Sequence, residues 1–164
     1  MKIKQKKVTD IWELIVKEPT IINADATVSD LFSKMVEDHK TRHVYVVDKN
    51  QQIVGSVRLN DLIEFMLCYL SGLSDESFNT FIAKYSQKKV SEIMLKQFVC
   101  LQKETGIQDM ISTMLVNRVG ELPVVDENRK IVGEANLLEF IKFLSDSQAL
   151  IKKNVVKNEE NWTI

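Results

Sequence analysis

The sequence predicts a mixed α/β fold made of two copies of one unit. The main evidence is an internal repeat, in which the stretch Ile53–Asp61 recurs as the stretch Ile131–Glu139. Each stretch has an apolar strand pattern, a glycine, and a turn into a helix whose first turn carries a carboxylate. The elements that precede this stretch also occur twice in the same order, so we predict a tandem repeat.

The first copy is predicted to run from residue 8 to residue 67. Its helices have apolar residues at helical spacing, and its strands are rich in β-branched and aromatic residues. The residues Asp48–Gln52 have turn composition, so the strands on either side are expected to form a hairpin. The predicted helix, strand, helix, strand, strand and helix are Val8–Leu14, Thr20–Ile22, Val28–Val36, His43–Val47, Ile53–Val57 and Leu59–Leu67.

The second copy is predicted at residues 90–146 with the same order of elements. These are Val90–Met94, Phe98–Leu101, Ile107–Leu115, Glu121–Asp126, Ile131–Ala135 and Leu137–Leu144. Residues 68–89 between the copies are too apolar for a flexible linker, so we expect a helical connector that packs on the body. Residues 147–164 form a polar C-terminal tail.

Composition and charge exclude several classes of protein. The 22 basic and 23 acidic residues nearly balance, which argues against a nucleic-acid partner. No apolar run approaches the roughly 20 residues that span a bilayer, and the N-terminus lacks an apolar signal segment. The two cysteines have no disulfide or zinc spacing. We therefore expect a soluble protein in the reducing cytoplasm, without a membrane association.

The ordered motifs resemble the cystathionine-β-synthase (CBS) domain, present as a tandem pair over about residues 8–144. The residues that carry the resemblance are Val90–Met94, Leu122–Asp126 and Ile131–Gly133 in the second copy, and Val8–Ile11, Val46–Asp48, Ile53–Gly55 and Asp61 in the first. The resemblance implies two halves that pack sheet to sheet with pseudo-two-fold symmetry. It also implies a homodimer, clefts that bind adenosine nucleotides, and a regulatory role without catalysis.

The resemblance also implies candidate ligand residues at the start of each closing helix. Family members that bind nucleotides have a Thr or Ser that helps to hold phosphate, followed by an Asp that takes the ribose hydroxyls. By position, the first copy supplies Arg58 and Asp61, and the second supplies Asn136 and Glu139. Neither copy has the hydroxyl residue.

A structural role competes with ligand binding at these positions. Asn136 followed by Glu139 has the spacing of a helix capping box, and Asp61 is favourable in a first helical turn. Arg58 is a poor cap residue, and its cation lies near the positive end of the helix. Either a phosphate bound between the helix and the guanidinium, or an Arg58 side chain that extends into water, would resolve this conflict.

Further candidates come from the strands that would line a cleft. We expect adenine to contact Ile21 and Ile22 in the first copy, and Val99 and Cys100 in the second. His43 and Tyr45 begin the strand that lines the same cleft, although His43 is also compatible with a plain strand surface. Arg118, in the loop after the second helix of its copy, is a further phosphate candidate.

Two functions from different classes remain open. The first is a sensor that binds AMP, ADP or ATP and acts on a regulated protein in trans, because no catalytic, transport or DNA-binding domain is attached. The second is a ligand-free module that dimerises through the apolar helices Leu59–Leu70 and Leu137–Leu144. We expect no enzyme, since the chain has no Ser-His-Asp order, metal spacing or phosphate-binding glycine loop.

Overall fold

The computed structural model describes residues 6–37, 42–70, 75–142 and 144–145. Two three-stranded sheets, one from each half of the chain, form its centre, and helices cover them. This arrangement confirms the predicted α/β fold with two equivalent halves. The predicted C-terminal tail at 147–164 lies outside the described residues.

The elements of the first half follow the predicted order. A 3-10 helix at Val8–Leu14 begins it, and the strands and helices after it are β1 Ile21–Asn23, α1 Val28–Glu37, β2 His43–Val47, β3 Ile53–Arg58 and α2 Leu59–Leu70. The helix α3, at Asp75–Ser86, lies between the two halves in the sequence and contacts α1.

The second half repeats these elements. They are α4 Val90–Ile93, β4 Leu101–Gln102, α5 Ile107–Asn117, β5 Glu121–Val125 and β6 Ile131–Asn136, and residues 137–142 are again helical. The prediction of a strand at Phe98–Leu101 was wrong in its bounds. Only Leu101 and Gln102 pair with β5, opposite Val124 and Val125, so Phe98 and Cys100 lie before the strand. Both instead pack against the hydrophobic cluster at the seam between the sheets.

Both sheets have the same topology. β1 lies parallel to β2 because α1 provides the crossover between them, and β3 returns antiparallel as a hairpin. β4, β5 and β6 repeat this order. The hairpin register shifts between Val46 and Val47 in the first half and between Val124 and Val125 in the second, so even the irregularity is duplicated.

The short helix that begins each half packs on the other half. Val8 is fully buried in a core cluster with Met110 and Leu122 of the second half. Val90 is fully buried in the corresponding cluster of the first half, beside Leu31. The exchanged segments therefore hold the halves together by burying apolar side chains in each other's core.

Two glycines allow this exchange. A Cβ atom on Gly133 would lie 2.5 Å from Ile15 Cγ2 and 3.1 Å from the carbonyl oxygen of Val16. A Cβ atom on Gly55 would meet Met94 at 2.5 Å from its sulfur. The glycine of the repeated motif is thus explained by the close approach of the exchanged segment.

The seam between the sheets has its own contacts. Tyr45, Ile53 and Val125 form a buried cluster that joins the two halves. The backbone N–H of Ile53 donates to the carbonyl oxygen of Arg129 at 3.0 Å. None of the described helices has the length and apolar character needed to cross a bilayer.

Candidate functional site

Two clefts open along the seam between the halves. We define the first cleft as two adjoining cavities of about 490 and 110 Å³. They share His43, Arg58, Val119 and Glu121 as lining residues. We define the second cleft as a cavity of about 170 Å³ that is lined by Thr20, Arg42, His43, Glu121, Glu134 and Glu139, among others. His43 and Glu121 therefore lie between the two clefts.

Each cleft is built from both halves. In the first cleft, Ser56 of β3 exchanges two backbone hydrogen bonds with Leu95, the second residue after the exchanged helix α4. In the second, Glu134 of β6 does the same with Val16. In each half, the segment before the short strand, β1 or β4, thus crosses to the hairpin of the other half. As a result, Val99 lines the same cavity as Arg58, and Thr20 lines the same cavity as Glu139.

Arg58 and Asp61 form a tight ion pair at the first turn of α2. Arg58 Nε lies 2.8 and 3.1 Å from the two carboxylate oxygens of Asp61, and Nη2 lies 2.5 Å from Oδ1. This ion pair resolves the conflict over the Arg58 charge within the protein itself, and the expected role of Arg58 as a phosphate ligand stays a prediction. Asp61 neutralises the guanidinium that would otherwise face the positive end of the helix.

Asp61 also has a capping role. Its carboxylate accepts a hydrogen bond from the backbone N–H of Arg58 at 3.3 Å. Asp30 makes the same contact at the start of α1, where it accepts from the N–H of Thr27 at 2.9 Å. Asp30 lines another cavity, so its substitution shows the effect of losing the helix cap alone, without an effect on the first cleft.

Two further arginines line the first cleft. Arg118 ends α5 in the left-handed conformation, with φ 53° and ψ 44°, which turns the chain back toward β5. It lies with Arg42 and Arg58 around the cavity that contains Asp61. The structure therefore brings Arg58, Asp61 and Arg118 together as predicted candidates, and it adds Arg42.

Asn136 and Glu139 lie together in the second cleft. Asn136 Oδ1 accepts a hydrogen bond from the N–H of Leu138 at 2.9 Å, so Asn136 caps the helix that follows. Its amide nitrogen donates to Glu121 at 3.2 Å. Among the described residues, no group of three or more His, Cys, Asp or Glu side chains is placed to hold a metal ion.

A buried polar network separates the clefts. The Tyr45 hydroxyl donates to Glu134 Oε2 at 2.8 Å, although Tyr45 is 1% exposed and Glu134 is 7% exposed. His43 Nδ1 lies 3.2 Å from Glu121 Oε2, and the His43 ring stacks on the ring of Tyr45. Polar groups that are buried this deeply need partners, and each of these has one.

Burial changes the acid–base properties of this network. Burial first, and then the neighbouring carboxylate of Glu121, raise the pKa of Glu134 from an ordinary 4.5 to about 7. The hydrogen bond from Tyr45 opposes this rise. Burial and the charge of Glu134 together hold the pKa of Tyr45 well above its usual value.

Four predicted candidates lie elsewhere or are covered. Ile21 and Ile22 line a separate cavity with Asp30, so the structure does not bring them together with Asp61. Tyr45 is buried in the seam, where a ligand cannot reach its side chain. Cys100 packs against the same cluster, and burial raises the pKa of its thiol. The residues of β1 do not line either cleft, because the exchanged segment forms the cleft wall instead.

Sequence reasoning missed Glu134, Glu121 and Arg42 as cleft residues. A signal for Glu134 was present, since it interrupts the apolar strand Ile131–Ala135 at the position of Ser56 in the first copy. A charged residue inside such a strand indicates either an edge or a buried, paired carboxylate. The other two required the three-dimensional crossing of the segments.

A model of the CBS domain matches residues 8–68 and 90–146. The chain belongs to the CBS domain family. Inosine-5'-monophosphate dehydrogenase of Methanocaldococcus jannaschii is 25% identical over 130 residues, a match that covers 79% of this chain and 22% of that protein. The uncharacterised protein MJ1232 of the same organism is 28% identical, with 82% of this chain and 39% of that protein covered. The chain thus spans well under half of these relatives.

Solved structures of CBS domains have the same fold. A CBS domain-containing protein of Thermotoga maritima is 32% identical, with a TM-score of 0.66 over 87% of this chain and 96% of that one. The CBS domain pair of protein MJ0100, in complex with 5'-methylthioadenosine and S-adenosyl-L-methionine, is 16% identical with a TM-score of 0.64 and covers 87% and 98%. The cytosolic domain of the Mg²⁺ channel MgtE, in complex with ATP, is 22% identical with a TM-score of 0.60 and covers 79% and 46%.

Proposed function

We propose that this CBS pair is a regulatory sensor that binds an adenine nucleotide, AMP, ADP or ATP, in the first cleft. The observation that carries the proposal is the cluster of Arg42, Arg58 and Arg118 around the carboxylate of Asp61, in a cavity built from both halves. A CBS domain pair of similar fold has been solved with 5'-methylthioadenosine and S-adenosyl-L-methionine, and the cytosolic domain of MgtE, also of similar fold, with ATP, which supports the choice of ligand class.

The cleft supplies a chemical partner for each part of a nucleotide. The carboxylate of Asp61 is an acceptor for ribose hydroxyls, and the arginines offer forked donors to phosphate oxygens. Leu95, Phe98 and Val99 give the smaller cavity apolar walls for a purine. The N-terminus of α2 adds its backbone dipole to the same anion-binding surface.

Ligand binding must compete with the existing ion pair. Asp61 is held by Arg58, so a ribose would share or displace that contact. We expect the guanidinium of Arg58 to turn toward the phosphates when this happens. Since the cleft joins both halves, the ligand would favour one relative arrangement of them, by no more than its difference in affinity for the two arrangements.

Calorimetric titration of the purified protein with AMP, ADP and ATP tests the proposal. We expect binding of at least one of them, weakened by about tenfold or more in Asp61→Ala, because a charged hydrogen bond is lost. Asp30→Ala removes an equivalent helix-capping carboxylate outside the cleft and should leave the affinity unchanged. Absence of binding at millimolar nucleotide, or an equal effect of both substitutions, would remove the proposal.

A second candidate function is assembly through the closing helices. Ile63 and Leu67 of α2 and Leu138 and Ile141 of the corresponding segment of the second half are exposed by 45, 60, 73 and 52%. Large apolar side chains at this exposure on two equivalent helices indicate a surface that another chain covers. We infer a homodimer through these helices.

Sedimentation over a range of protein concentrations tests this assembly. Ile63→Asp together with Ile141→Asp should give a monomer that still melts cooperatively, while Glu104→Lys, on an exposed turn, should leave the dimer intact. A wild-type protein that stays monomeric at high concentration contradicts the assembly. A regulated protein in trans and a cytoplasmic location remain part of the proposal and rest on the sequence alone.

A further inference from the structure

The two clefts have equivalent positions in the repeat but opposite charge. Three arginines, Arg42, Arg58 and Arg118, line the first cleft against the carboxylates of Asp61 and Glu121. Among the described residues, Arg42 is the one arginine that lines the second cleft. It faces the carboxylates of Glu18, Glu121, Glu134 and Glu139.

The difference is concentrated at one pair of equivalent positions. Ser56 and Glu134 make the same pair of backbone hydrogen bonds to the crossing segment of the other half, and both are more than nine-tenths buried. Ser56 presents a small neutral side chain to the first cleft. Glu134 presents a longer acidic side chain to the second.

The partners across the seam differ in the same way. Glu134 is held by the hydroxyl of Tyr45, which pairs with Ser56 in its own hairpin. The residue that pairs with Glu134 in the second hairpin is Pro123, which lines the first cleft and has no side-chain donor. Tyr45 therefore fixes a carboxylate at the second cleft, whereas the equivalent position of the first cleft, in the described part of the chain, carries the Ser56 hydroxyl.

We propose that the first cleft alone accepts a phosphate-bearing nucleotide, and that Glu134 is the specificity-determining residue that closes the second cleft to anions. The proposal rests on the function proposed above and adds a stoichiometry of one nucleotide per chain. A phosphate in the second cleft would lose its own hydration beside a fixed, poorly hydrated carboxylate, where like charges repel strongly.

The number of sites gives the first test. Calorimetric titration of the wild-type protein with ATP at pH 8 should give one site per chain, and Asp61→Ala should remove it. Two equal sites per chain would overturn this inference and leave the nucleotide sensor standing. No binding at all would remove the sensor, so the two failures are distinguishable.

The role of Glu134 is tested with the first cleft disabled. In the Asp61→Ala background, Glu134→Gln keeps the shape and the acceptor for Tyr45 but removes the charge, and Glu134→Ser introduces the residue of the first cleft. Each should raise the affinity for ATP in the second cleft by roughly tenfold or more. Unchanged ATP binding in both double variants would overturn the assignment.

A comparison of adenosine with ATP distinguishes the effect of the Glu134 charge from the effect of its side-chain volume. Adenosine carries no phosphate, so its affinity in the Asp61→Ala background should change little with Glu134→Gln. An equal gain for adenosine and ATP would mean that Glu134 only occupies volume, which would overturn the electrostatic part of the proposal. Thermal melting of each variant confirms that the fold compared is the same.

Discussion

Arg58 holds both carboxylate oxygens of Asp61 from its Nε atom, at 2.8 and 3.1 Å. The pair lies at the mouth of the first cleft, where the two side chains keep 37 and 25% of their surface exposed. An arginine that looked misplaced at the positive end of a helix is therefore half of a local ion pair. The same pair presents opposite charges to any ligand that enters the cleft.

Arg58→Gln should have a small effect on stability and a phosphate-dependent effect on binding. Because the ion pair is partly exposed and screened by solvent, its loss should lower the free energy of unfolding by no more than about 1 kcal/mol. The affinity for ATP should fall by about tenfold, and the affinity for adenosine should stay nearly constant. Equal losses for ATP and adenosine would argue against a phosphate contact.

Arg118→Gly should stabilise the fold while it weakens ATP binding. Arg118 has φ 53°, a region that glycine adopts without strain, so chemical denaturation should show a gain of about 0.5–1 kcal/mol. Arg129 has φ 60° in the turn of the second hairpin and supplies a matched control. Arg129→Gly should give a similar gain without loss of ATP affinity, and a loss in both variants would argue against a phosphate role for Arg118.

Gly133→Ala should destabilise the exchange of segments between the halves. The added methyl group would lie 2.5 Å from Ile15 Cγ2 and 3.1 Å from the backbone oxygen of Val16. We expect a loss of about 1–3 kcal/mol in free energy of unfolding, as for other overpacked core positions. Gly120→Ala meets no atom within 4 Å and is the control. Equal melting temperatures for the two variants would contradict the packing described.

Glu134 should make stability fall as pH rises. Its pKa is raised from 4.5 to about 7, so between these values the folded state holds a proton that the unfolded state has lost. The stability contribution is therefore complete below pH 4.5 and lost above pH 7, with a total on the order of 3 kcal/mol at about 1.36 kcal/mol per pKa unit.

Denaturation of wild type and Glu134→Gln from pH 4.5 to pH 8 measures this effect. The wild type should lose stability relative to the variant across the window, and the difference should level off above pH 7. Tyr45→Phe removes the hydrogen bond that favours the charged form, so it should extend the window to higher pH. Parallel profiles for wild type and Glu134→Gln would contradict a buried carboxylate at this site.

Much of the fold was predictable because the repeat supplied each pattern twice. The helical spacing in α1 and α5 and the hairpins around Asp48 and Asp126 were read from local chemistry. The exchange of Val8–Leu14 and Val90–Ile93 was not predictable in this way. Apolar spacing shows that a helix has a buried face, and it does not show which half the face contacts.

The repeat also indicated some of the residues that line the clefts. Arg58 at the end of β3, Asp61 in the first turn of α2 and Arg118 at the end of α5 all line one cavity. The structure places Ile21 in another cavity and Tyr45 in the buried seam, because strand alternation alone does not distinguish a cleft wall from a buried contact. Glu134 was overlooked because its partner, Tyr45, lies in the other half of the sequence.

A crystal structure of the protein grown with ATP tests the central claim most directly. We predict one nucleotide per chain in the first cleft, with its ribose against Asp61, its phosphates among Arg42, Arg58 and Arg118, and its purine beside Val99. A nucleotide bound elsewhere, or an empty first cleft at millimolar ATP, would contradict the account.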